Sequence, residues 1–97
     1  MIISLNKFGT TLTSRQMGKE AFAAFKSTLD NIAPTEIVEV DFSGVNTFSP
    51  SWGDEFVGAL QAIYKDRLVL KNTNNASVKA TLQMLEQIHG YKFKIVS

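Results

Sequence analysis

The stretch Ser49-Pro50-Ser51-Trp52-Gly53-Asp54-Glu55 gathers the residue types in this chain best suited to chemistry. Two hydroxyls flank a proline, and two carboxylates follow Ser51 at spacings of three and four. On a helix those spacings share a face, so Ser51, Asp54 and Glu55 would sit together. A hydroxyl at a helix start can cap the free backbone N–H groups there. The same N–H groups can instead bind a phosphate or nucleotide. Ser51 with Asp54 forms a capping-box-like S-x-x-D. Ser49 competes for the cap, because Pro50 would then fill the favoured first helical position. Asp54 and Glu55 would lie in the first turn, where the helix dipole stabilises acids. Trp52 is either a core aromatic packed on Phe56 or an exposed interface anchor.

Other chemistry is sparse. His89 is the only histidine, so no histidine pair exists to hold a metal. Its place near the end of a helix suits a capping role on the last carbonyls. Cysteine is absent, which removes disulfides, thiol catalysis and thiolate metal sites. Neither a Walker phosphate loop nor a dinucleotide glycine fingerprint is present. Glu39 and Asp41 alternate along one strand and could pair as carboxylates; the simpler reading has one facing solvent and the other at the strand's polar end. Lys65, Arg67, Lys71, Lys92 and Lys94 lack interleaved exposed aromatics and describe a solvated face, with no nucleic-acid track. The expectation is a protein that is no enzyme and carries neither metal nor cofactor.

The chain of 97 residues, 44% apolar and 20% charged, suits one core-forming domain, here 1–97. A formal charge of +1 gives no pull toward nucleic acid or anionic membrane. The N-terminus MIISLNKFG lacks the pattern of a signal peptide. The apolar runs are too short to span a bilayer. A soluble cytoplasmic domain is expected.

The elements that must position Ser49–Glu55 follow from periodicity. Ile2–Leu5 predict a strand, and Lys7–Thr11 a turn or short second strand around Gly9. Thr13–Ile32 predict a helix, with Thr13 and Gln16 as a capping box. Phe22, Phe25, Leu29 and Ile32 form its apolar stripe. Glu36–Phe42 predict a strand with Val38, Val40 and Phe42 on one face. A second helix should run from near Ser51 to about Lys65 on a stripe of Phe56, Leu60 and Ile63. Arg67–Asn72 predict another strand. Asn75–His89 predict a third helix that buries Val78, Leu82, Leu85 and Ile88 and ends at Gly90. Tyr91–Val96 predict a last strand whose Lys92 and Lys94 would discourage further pairing at an edge. The alternation implies an α/β fold: a mixed, mostly parallel sheet of four to five strands with three helices packed on it.

At the central junction the sequence resembles STAS domains, the anti-sigma-factor antagonist fold. Asp41, Phe42, Ser43, Gly44 and Val45 match the strand end of their signature. Ungapped, Ser49 falls on the motif's aspartate, Pro50 on its first serine, Ser51 on the serine phosphorylated in regulated members, and Trp52 on its glycine. The closer similarity is to STAS-like domains of unknown function, whose Ser-Phe/Trp-x-Asp-Glu pattern corresponds to Ser51, Trp52, Gly53, Asp54 and Glu55. Leu12, Thr13, Ser14 and Arg15 also resemble an early segment of those domains. The resemblance implies a signalling module in transcription regulation that docks on a histidine-kinase-like ATPase or anti-sigma factor. Its surface would be Ser49, Ser51, Trp52, Gly53, Asp54 and Glu55, with Ser51, or alternatively Ser49, as the phosphorylated residue. Arg15 would belong to a second surface or simply be solvated. Two other classes stay open: a structural homodimer through the edge strand, and a small-ligand or nucleotide site at the same helix start.

Overall fold

The computed structural model describes residues 1–96; Ser97 lies outside the described residues. The chain runs β1 (Ile2–Ser4), a 3-10 turn (Leu5–Phe8), β2 (Thr11–Leu12), α1 (Arg15–Leu29), β3 (Val38–Asp41) and β4 (Thr47–Phe48). It continues through α2 (Pro50–Tyr64), a second 3-10 turn (Lys65–Arg67), β5 (Leu68–Lys71), α3 (Ala76–His89) and β6 (Lys94–Val96). The chain is therefore α/β, as its alternating pattern predicts.

The expected sheet divides in two. Four strands pair in the order β1-β3-β5-β6, and β2 pairs separately with β4. Every one of these pairings is parallel. In the main sheet each crossover moves the chain in the same direction across the order. Right-handed connections of that kind place their helices on one face. The core agrees: Ile3, Val38, Val40, Leu68 and Leu70 share a single buried cluster with the inward residues of all three helices. The register aligns Ile3, Val40, Leu70 and Ile95 across the sheet. The opposite face carries Ile2, Glu39, Val69 and Lys94 in one row, then Ser4, Asp41, Lys71 and Val96 in the next. Two layers result, one of sheet and one of helices.

Several boundaries differ from the expectations. Ser14, not Thr13, caps α1, its hydroxyl oxygen accepting from the Met17 N–H. Thr13 is left to offer its carbonyl to Ser49. The strand β4 has no counterpart among the expected elements, because two residues carry no readable period. The buried face of α2 centres on Trp52, Gly53, Phe56, Val57, Leu60 and Tyr64, so Ile63 stays 51% exposed. In α3, Thr81 joins Val78, Leu82 and Leu85 inside, and Ile88 is 64% exposed in the last turn. The last strand begins only at Lys94. Gly90 ends α3 at φ 73°, a left-handed conformation that glycine adopts without a Cβ penalty.

Helix α1 packs closely against α2, and Gly18 permits it. A Cβ at Gly18 would lie 2.8 Å from the Trp52 carbonyl oxygen. Alanine would gain helix propensity but force the backbones apart. Gly18→Ala is therefore expected to destabilise the domain by about 1–2 kcal/mol. Urea unfolding checks this; a midpoint equal to or above that of the wild type would contradict the close packing.

Candidate functional site

The start of α2 is built on the small parallel ladder. The Asn46 and Thr47 N–H groups both donate to the Thr10 carbonyl, at 2.8 and 3.1 Å. The Ser49 N–H donates to the Leu12 carbonyl at 2.9 Å. Ser49 is extended, at φ −102° and ψ 158°, as an N-cap requires. Its hydroxyl donates to the Thr13 carbonyl at 2.8 Å and accepts from the Trp52 N–H at 3.3 Å. Pro50 then takes the first helical position. Ser49, not Ser51, is the cap. The helix thus begins two residues earlier than the capping-box reading supposes, and Asp54 and Glu55 fall beyond the first turn.

The same junction is tied to α3. The Phe48 N–H donates to Ser77 Oγ at 3.0 Å, and its carbonyl accepts from the Ser77 and Thr81 hydroxyls. Asn75 caps α3 by accepting from the Ser77 and Val78 N–H groups. Its amide nitrogen meanwhile donates to the Val45 and Asn46 carbonyls. One short segment, residues 45–49, is therefore gripped by the starts of α1 and α3 while it launches α2.

Asp54 and Glu55 are held by partners on the neighbouring helices. Arg15 Nη1 donates to Asp54 Oδ2 at 3.3 Å and to Glu55 Oε1 at 3.0 Å. His89 Nε2 lies 2.8 Å from Asp54 Oδ1. Hydrogen bonds to Glu55 and then Asp54 push the Arg15 guanidinium further above its ordinary pKa. His89 thus reaches across to α2 instead of capping the carbonyls of its own helix. Its ring stacks on Tyr91, centroids 5.3 Å apart. Burial, followed by the charges of Asp54 and Glu86, pushes the Tyr91 phenol up. Both oxygens of Asp54 are engaged, which leaves its carboxylate less available to an outside group. Sequence spacing along one helix could not show this cluster, because Arg15 and His89 come from 39 and 35 residues away.

Trp52 is 2% exposed and stacks on Phe56 with centroids 5.0 Å apart. It belongs to the core, and the exposed-anchor alternative is corrected. Gly53 is buried too: a Cβ there would meet the Phe48 ring at 2.8 Å. Of the residues expected to meet a partner, Ser51, Asp54 and Glu55 reach the surface in part, while Ser49 is committed to its cap. Ser51 is half-buried, and its hydroxyl makes no hydrogen bond among the described residues. The helical wheel points it outward, three and four residues before the two acids.

The other candidates separate. Glu39 pairs with Lys71 at 3.4 Å. Asp41 Oδ1 accepts from the Ser43 N–H at 2.9 Å and from the Asn72 amide at 2.8 Å. The two carboxylates therefore have different partners and form no acid–base pair. The Asn72 and Ser43 hydrogen bonds hold the Asp41 carboxyl below its ordinary range. Arg67 reaches the Glu36 carbonyl, Lys94 the Asp66 carbonyl, and Lys92 lies 3.9 Å from Glu86. Among the described residues no group of three His, Cys, Asp or Glu is placed to hold a metal ion, and no helix is long and apolar enough to cross a membrane.

Residues 25–78 match a family described as STAS-like domain of unknown function (DUF4325). That span exceeds half of the chain, and the protein belongs to this family. It contains β3, β4, α2 and β5, hence the whole Ser49–Glu55 segment. No match is found among curated proteins or among solved structures.

Two expectations test this geometry. Ser49→Ala should cost about 1–2 kcal/mol, since it removes the cap and the Thr13 tie, while Ser51→Ala should stay within about 0.5 kcal/mol of wild type. Chemical denaturation of both variants decides; equal losses would refute the cap assignment. The second concerns acid. Because the folded state holds Asp41 below its ordinary pKa, its contribution is complete above the unfolded value, about 3.9, and is lost as pH falls through the folded one. The stability gap between wild type and Asp41→Ala should be present at neutral pH and narrow in denaturation series carried into that acid range. A gap independent of pH would contradict the role of the ionised carboxylate.

Proposed function

We propose that this STAS-like domain is a non-catalytic regulatory module of the cytoplasm. It docks through the start of α2 on a histidine-kinase-like ATPase and is switched by phosphorylation of Ser51. The observation that supports this reading best is the contrast between the two serines. The Ser49 hydroxyl is fully used in holding the backbone, whereas that of Ser51 sits half-buried on the outward face with no internal task. Modification of Ser51 therefore changes the surface while sparing the fold.

A phosphate on Ser51 adds about −1.5 to −2 charge. It would lie on the same helical face as Asp54 and Glu55, whose charge Arg15 partly offsets. Burial of that charge against a neutral partner surface is unfavourable, so modification is expected to release the partner. An anion or nucleotide site at this helix start has less support, because the Trp52 and Gly53 N–H groups are already taken by Ser49.

The test is association with any histidine-kinase-like ATPase whose gene is found to adjoin that of this chain. Calorimetry should show binding by wild type and at least tenfold weaker binding by Ser51→Asp, about 1.4 kcal/mol, with unchanged thermal unfolding. Equal affinity of the two proteins would sink the switch. Absence of any binding would remove the docking reading.

A further inference from the structure

A cavity lies away from the start of α2. It occupies about 410 Å³ between α3, β6 and the loop joining β5 to α3. That volume is within the roughly 300–1,000 Å³ typical of small-molecule sites. It opens beside the carboxyl ends of β5 and β6.

Its lining has two characters. Leu82 and Ile95 provide an apolar wall. Thr73, Lys79 and Gln83 provide a polar one. Thr73 is 7% exposed, and neither its hydroxyl nor the Gln83 amide has a hydrogen-bond partner among the described residues. Lys79 lies one turn into α3, near the positive end of its dipole, and makes no ion pair among the described residues. Glu86 also borders the cavity, but its charge is already engaged. Its Oε2 accepts from the Phe93 N–H at 2.8 Å, and its Oε1 faces Lys92 at 3.9 Å. Lys79 is thus the cation at the cavity that makes no ion pair among the described residues.

We infer that this cavity binds a small organic carboxylate with an apolar body. Lys79 receives the carboxylate, with the Thr73 hydroxyl and Gln83 amide as further donors. Leu82 and Ile95 cover the apolar part. The site is separate from the α2 surface and does not depend on the docking reading.

Hexanoate, hexan-1-ol and inorganic phosphate serve as probes in amide-resolved NMR titrations of the whole chain. Hexanoate should give saturable shifts concentrated at Thr73, Lys79, Leu82 and Ile95. Lys79→Ala, at an exposed position, should weaken hexanoate about tenfold. Ile95→Trp, at a half-exposed position on the cavity wall, should fill the space and abolish the shifts. The inference is overturned if hexanoate does not saturate, if hexan-1-ol or phosphate binds equally well, or if Lys79→Ala, folded by its spectrum, binds hexanoate like wild type.

Discussion

The arrangement of the helices depends on the three hydrogen bonds of Ser49. Its N–H completes the ladder to Leu12, its hydroxyl proton goes to Thr13, and its hydroxyl oxygen takes the Trp52 N–H. The first two bind the α2 start to the strand that launches α1; the third starts α2 itself. A single residue thus helps fix the separation at which Gly18 can lie against the Trp52 backbone. That separation in turn admits the stacked Trp52 and Phe56 rings and the edge-on approach of Phe22. Net gains of about 1 kcal/mol per hydrogen bond are modest. Their consequence is large because all three act at one point, from which two helices diverge.

The charged cluster above this point works differently. Arg15, Asp54, Glu55 and His89 are partly exposed, and exposed ion pairs contribute little to stability. Their effect is to define a surface. Asp54 is held from α1 on one side and from the end of α3 on the other. The outward face of α2 is consequently bordered by fixed charges, with Ser51 a turn below them. Rigid backbone beneath and an uncommitted hydroxyl above suit a surface read by another protein, since a preorganised interface has less ordering cost on binding.

Much of the fold was legible in the sequence because its signals are local. Alternating Val38, Val40 and Phe42 and the spaced Val78, Leu82 and Leu85 reported their buried faces directly. The Asp41–Val45 segment and the Ser51–Glu55 pattern carried the family. What stayed hidden was set by contacts distant in sequence. The β2–β4 ladder has two residues per strand, too few for any period. The choice between Ser49 and Ser51 as cap was open locally, because each has a credible helix behind it. The Leu12 and Thr13 carbonyls settle it from 36 to 37 residues away. Trp52 had two local readings for the same reason; its burial comes from Phe8, Phe48 and Phe56 together. Arg15 and His89 had no sequence signal linking them to Asp54.

The central claim is that the α2 start is locked into the fold and does not fray as an ordinary exposed helix end would. Native-state hydrogen exchange read at the Ser49 and Trp52 amides tests it most directly. The account predicts that both amides exchange only through the global opening that also exposes the Val40 and Leu70 amides of the central strands. Exchange at Ser49 and Trp52 through a far cheaper local opening, with the strands still protected, would contradict it.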